Sequence, residues 1–202
     1  MILKMFADIR VTKLLSIAML TTLASGCVMT RQSEPKRTAV EQLLISTAVD
    51  ESLAGIDLSP LNGKAVYMEE KYFDSEDKQY ALGAIRELIS AAGGRLQASA
   101  EGAEIIVEPR SGALSIDSGS SLVGFPEMPV PIPFSGTISS PEVPFYKSER
   151  QFGVAKIALF AYDNKTRQHL LSTGSAPGYS KHHYYKFFGF FRWTSTSIPE
   201  KK

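Results

Sequence analysis

Apolar positions recur at helical spacing in two stretches of the chain. Behind Thr38-Ala39-Val40-Glu41, the residues Val40, Leu43, Leu44, Ala48, Val49 and Leu53 predict a helix from about Ala39 to Leu53. Thr38 can cap its first turn while Glu41 reaches back, the capping-box arrangement. In the second stretch Ala81, Leu82, Ile85, Leu88, Ile89 and Ala92 form one apolar face. Asp74 or Ser75 is the expected cap, and Gly93-Gly94 the expected stop. Between the helices Ser59-Pro60-Leu61-Asn62-Gly63 reads as a turn, and Lys64–Glu69 alternates as a strand. Further strands are expected at Arg95–Ala98 and Glu104–Glu108, with a weaker one at Ala113–Asp117. Strand, helix, strand in that order predicts a right-handed crossover with parallel strands.

From Ser118 to Arg150 the alternation gives way to proline. Six of the 11 prolines lie between Pro126 and Pro144. Proline removes backbone donors and pushes its neighbours to extended backbone, so an irregular or polyproline-like segment is expected over 118–150. Gly153–Tyr162 and Gln168–Thr173 then flank Asp163-Asn164-Lys165-Thr166 as a long hairpin. The Asn-x-Thr triplet in that turn reads as turn chemistry. The chain closes on an aromatic stretch from Tyr179 to Trp193. The predicted fold class is α/β: a single mixed sheet with two principal helices packed on it, preceded by a lipoprotein signal peptide.

The leader carries that last expectation. Lys4, Arg10 and Lys13 make a positive n-region, and Leu14–Leu23 is a short apolar run ahead of Ala24-Ser25-Gly26-Cys27. The run is far shorter than the ~20 apolar residues of a spanning helix. Leu-Ala-Ser-Gly-Cys resembles a bacterial lipoprotein cleavage site, in which Cys27 becomes the lipidated first residue. Residues 1–26 are then signal peptide, 27–36 a lipid-anchored tether, and 37–202 one α/β domain. Val28 after the cysteine, in place of aspartate, implies the outer membrane by analogy with lipoprotein sorting, with the domain facing the periplasm.

Composition narrows the chemistry. The 202-residue chain carries a net charge of +1, and the leader holds three basic residues and one acid. The remainder is therefore slightly acidic. It has no basic excess to hold a nucleic-acid backbone or to draw a folded domain onto an anionic bilayer. Cys27 is the only cysteine, so disulfides within the domain and thiolate zinc sites are excluded.

No Gly-x-Ser-x-Gly, phosphate loop or His-Glu-x-x-His is present. Of the three histidines, His169 has no nearby carboxylate in sequence. His182 and His183 are adjacent, which on a strand sends them to opposite faces. The acids at Asp74–Asp77 open a helix, where negative charge is favourable for structural reasons alone. Neither an enzyme, a metal nor a cofactor is expected.

Two segments remain as candidates for interaction. The Pro-rich one carries Phe125, Met128, Val130, Ile132 and Phe134 between its prolines. It reads either as a lid burying these side chains or as a preorganised extended ligand for a partner. The closing stretch holds Tyr184, Tyr185, Phe187, Phe188, Phe190, Phe191 and Trp193, with Lys186 and Arg192 among them. As a strand it places aromatics on both faces, one more than an ordinary core covers. The excess reads either as an interface or as a strand buried on both sides.

With the Cys27 leader, the helix TAVEQLLISTAVDESLAGIDL, the strand GKAVYMEE and the DNKT turn, the chain resembles an uncharacterised group of Gram-negative envelope lipoproteins. More distantly it is similar to small α/β lipoproteins that assist curli secretion or peptidoglycan synthesis. The resemblance implies an α/β lipoprotein and no catalytic residues. The expected role is a non-catalytic accessory or scaffold, held to the membrane by its N-terminal lipid and binding an envelope protein partner, with no nucleic acid involved. The alternative is a carrier or sensor of a small apolar or lipid-like ligand.

Overall fold

The computed structural model describes residues 36–134, 136–174 and 176–199. The leader, Cys27 and all of the tether but Lys36 lie outside them.

Helix α1 (Ala39–Leu53) has the predicted bounds and the predicted cap. The Glu41 amide donates to Thr38 Oγ1 at 3.3 Å, and the Thr38 amide donates to Glu41 Oε2 at 2.7 Å. Its buried side chains are Leu44, Ile45, Ala48, Val49, Ser52 and Leu53, whereas Leu43 is nearly half exposed. Strand β1 (Ala65–Met68) and helix α2 (Lys78–Ala91) follow. Helix α2 begins later than Asp74 or Ser75: its N-cap is Asp77, with no side-chain capping bond. The Asp77 carboxylate instead faces Arg37 Nε at 2.9 Å, a pairing that spans too much sequence for local pattern to show. At the other end the Gly94 amide reaches back to Ile89 C=O at 2.9 Å, and Gly93 takes φ +85°. This is the predicted glycine stop, in Schellman form.

Seven strands make the main sheet, in the order β2-β1-β3-β6-β8-β9 with β7 also beside β6. Strands β2 (Arg95–Leu96) and β3 (Ile105–Phe125) flank β1 in parallel, as the crossover pattern predicts. Strands β6 (Val143–Asp163), β7 (His169–Ser172), β8 (Pro177–Phe187) and β9 (Phe191–Thr196) extend the sheet antiparallel. The fold is thus a curled mixed sheet with two helices, broadly α/β, in which strand outweighs helix by 48% to 22% of the described residues. The core is one cluster: Val49, Leu53, Ile85 and Ile89 of the helices meet Val66, Val107, Ile157 and Leu159 of the sheet.

The expectation of an irregular segment over 118–150 is corrected. Strand β3 runs on through Phe125, β6 resumes at Val143, and β4 (Pro129–Ile132) and β5 (Gly136–Ser139) form a small second sheet between them. Hydrogen-bond phase explains why the prolines fit. Ser140 N–H donates to Met128 C=O at 2.8 Å, which makes Met128 and Ser140 facing partners whose polar groups point inward. Such pairs alternate along an antiparallel ribbon, so Pro129 and Pro131 occupy the positions whose N–H would point away. Proline there removes no ladder bond.

Candidate functional site: an aromatic blade beyond the core

Helix α1 ends its cover of the sheet at Gly153, Gly178 and Ser180. Ser180 Oγ donates to Leu44 C=O at 2.6 Å, and a Cβ on Gly153 would stand 2.6 Å from the same oxygen. A Cβ on Gly178 would collide with the Ala48 carbonyl and the Ser52 amide. Glycine at these two positions lets the helix backbone lie directly on the strands.

Beyond that contact β3, β6, β8 and β9 continue as a four-stranded antiparallel blade. Side chains alternate between faces along a strand, so the register sorts them into rows. On the face continuous with the core lie Ser118, Gln151, His182 and Thr196, then Ser120, Glu149, Tyr184 and Thr194, then Leu122, Lys147, Lys186 and Arg192. This face is polar. Lys147 Nζ sits 3.1 Å from both Glu142 and Glu149 carboxylates, and hydrogen bonds to Glu149 and Glu142 hold its ammonium above the usual lysine range.

The opposite face turns aromatic toward its far end. Its rows are Gly119, Arg150, His183 and Ser195, then Ser121, Ser148, Tyr185 and Trp193, then Val123, Tyr146, Phe187 and Phe191. Tyr185 and Phe187 both stack on Trp193, with centroids at 5.1 and 5.7 Å. Tyr146 meets Phe187 edge-on at 5.0 Å. At the end of the blade Phe145 links Phe125 and Phe188, at 6.3 and 6.4 Å. Phe125, Phe188, Phe190 and Phe191 are each about 60% exposed, and Phe134 stands fully in solvent.

A tight turn joins β8 to β9. Phe190 N–H donates to Phe187 C=O at 3.2 Å, and φ is positive at both Phe188 (45°) and Gly189 (78°). That geometry matches hairpin twist but is strained for a bulky side chain, and Asn is the usual occupant of the first position.

The sequence candidates therefore split. Phe125, Phe187, Phe188, Phe190, Phe191, Trp193 and Tyr185 gather at the blade's end, while Tyr184 lies on the polar face. Met128, Val130, Ile132 and Phe134 sit on the β4–β5 hairpin, with Met128, Val130 and Phe134 exposed. Three of the four are exposed and none joins the core cluster, so the segment does not bury them as a lid. Sequence reasoning passed over Phe145, Tyr146 and Ile138. Phe145-Tyr146 is followed by five polar residues, Lys147 to Gln151, and Ile138 stands alone among Gly, Thr and Ser, so no local alternation marked them.

His182 and His183 lie in rows on opposite faces, as adjacency on a strand requires. Burial, and then the charges of Lys181, Arg150 and His182, push the His183 imidazole below its ordinary pKa. Among the described residues no three His, Cys, Asp or Glu side chains converge as a metal cage. No helix among them is long and apolar enough to cross a membrane.

A small α/β core thus carries an antiparallel four-stranded blade whose far end is aromatic. The chain belongs to DUF6655, a family of unknown function, whose model matches residues 21–199. No curated protein matches it.

Proposed function

We propose that this protein is a non-catalytic scaffold of the Gram-negative envelope, lipid-anchored at Cys27 in the outer membrane, facing the periplasm and binding another envelope component through the end of its blade. One observation carries the reading. Most of the large exposed apolar side chains lie beyond the core, with Phe125, Phe145, Phe188, Phe190, Phe191 and Trp193 around the end of the blade and Phe134 at the β4–β5 turn. Contiguous exposed apolar surface marks interaction sites, and aromatic anchors contribute most to protein interfaces. Kinship with the accessory lipoproteins of curli secretion and peptidoglycan synthesis belongs to this proposal, as does the signal peptide. The alternative of an apolar-ligand carrier has less support, because the apolar side chains that would form its lid stand exposed on paired strands.

Photocrosslinking in cells from Phe188 and Val130, each replaced by a photoreactive phenylalanine, tests the reading. A discrete adduct with another envelope protein is the expected result. Adducts to phospholipid alone, or none, overturn it.

A further inference from the structure

The blade has two open edges. Strand β3 pairs with β1 only as far as Val107, so along Ser111–Phe125 no strand of the described residues lies on its outer side. Strand β9 closes the sheet order at the other side. Open edges are templates for further strands, and monomeric proteins blunt them with lysine, proline or a covering element. Among the described residues neither edge carries such a device. Ser111–Phe125 contains no Lys, Arg or Pro and a single charge, Asp117; Phe191–Thr196 has no Pro and only Arg192. The β3–β6 register runs without a shift from Ala113 to Val123, between irregularities at either end.

Direction decides what fits these edges. Strands β3 and β8 run toward the aromatic end, and β6 and β9 run back, because each neighbouring pair is antiparallel. The β3 of a second copy laid on β9 is therefore antiparallel too, and repeats the alternation without turning the copy over. Joining two β9 edges antiparallel would point the aromatic ends in opposite directions, against the common orientation that the proposed Cys27 anchor favours. Head-to-tail addition keeps every aromatic end at one level and continues polar face onto polar face.

We infer that copies of this chain assemble head to tail, β9 of one against β3 of the next, into a closed antiparallel wall. A heterologous contact that repeats either closes into a ring or grows without limit, and closure alone removes both edges. The aromatic rows around Tyr185, Phe187, Phe191 and Trp193 then form a continuous girdle at one end of the ring. Assembly rests on the strand edges and is independent of what the girdle binds.

Cysteine pairing in the full-length chain, purified in detergent, tests the arrangement. Thr194 lies on the polar face, level with Ser120, in the four-strand register. Mixing T194C with S118C, S120C or L122C on that face, then with G119C, S121C or V123C on the other, reads the new junction directly. Disulfide formation needs Cβ atoms close together on one face, so at least about tenfold more cross-linked dimer is expected from the same-face set. The double variant T194C/S120C, or its same-face equivalent at the register found, should give a ladder ending in one closed species, and light scattering should give a fixed multiple of the chain mass. A monomeric mass, pairing of Thr194→Cys only with itself, or equal yield from both faces overturns the inference. Phe188→Asn, run in parallel, separates the two proposals: it should abolish the partner adduct formed from the Val130 probe while leaving copy-to-copy pairing unchanged.

Discussion

At the scale of single residues, backbone approach and backbone strain do the most. Gly178 is where α1 touches β8 closely enough that a methyl group has no room. Gly178→Ala is therefore expected to cost about 1–3 kcal/mol, the range for overpacking a close-packed contact, read as a lowered urea midpoint. Phe188 is the converse case, a bulky ring held at φ 45° on an exposed turn. A strained residue at a display site points to use of its side chain. Phe188→Asn should leave stability unchanged or raise it by up to about 1 kcal/mol, because Asn accepts this conformation more readily. Loss of stability in thermal unfolding would show that the ring serves the fold and not a partner.

At the scale of elements, local signals were legible where the chemistry is local. Thr38 and Glu41 are three residues apart and cap α1 as their spacing predicts. Thr38→Ala should destabilise the protein by about 1 kcal/mol without changing the bounds of the sheet, measured by denaturant unfolding and circular dichroism. The start of α2 was misjudged because Asp77 is engaged by Arg37, a contact set by how the N-terminal segment meets the helix. The Pro-rich segment failed as a strand prediction for a different reason. Proline counts against a strand only where its N–H would pair, and that phase depends on which residue of the partner strand lies opposite. Pro129 faces Ser139 and Pro131 faces Thr137, a register that composition cannot supply.

At the scale of the whole molecule, the core and the blade's end are separate enterprises. The large buried residues lie on α1, α2, β1 and the core halves of β3 and β6, with Leu58 and Leu61 between α1 and β1 and Phe73 between β1 and α2, while the β4–β5 hairpin adds no residue to the core cluster. Replacing residues 126–142 by Asn-Gly, which would join the facing pair Phe125 and Val143 through a two-residue turn, should cost no more than about 1 kcal/mol, the scale of the Glu142–Lys147 ion pair it removes. The same variant should lose the Val130 arm of the partner contact. A collapse in melting temperature would show that the hairpin folds back onto the core. The sequence alone determined the two helices, the parallel β1–β3 unit and the aromatic content of the closing stretch, because periodicity and end signals act within a few residues. Which face each aromatic occupies, that the prolines ride on paired strands, and that the blade ends in two open edges were decided only by tertiary structure. Strand register and partner order join residues far apart in the chain, and a one-residue slip would move every ring to the other face.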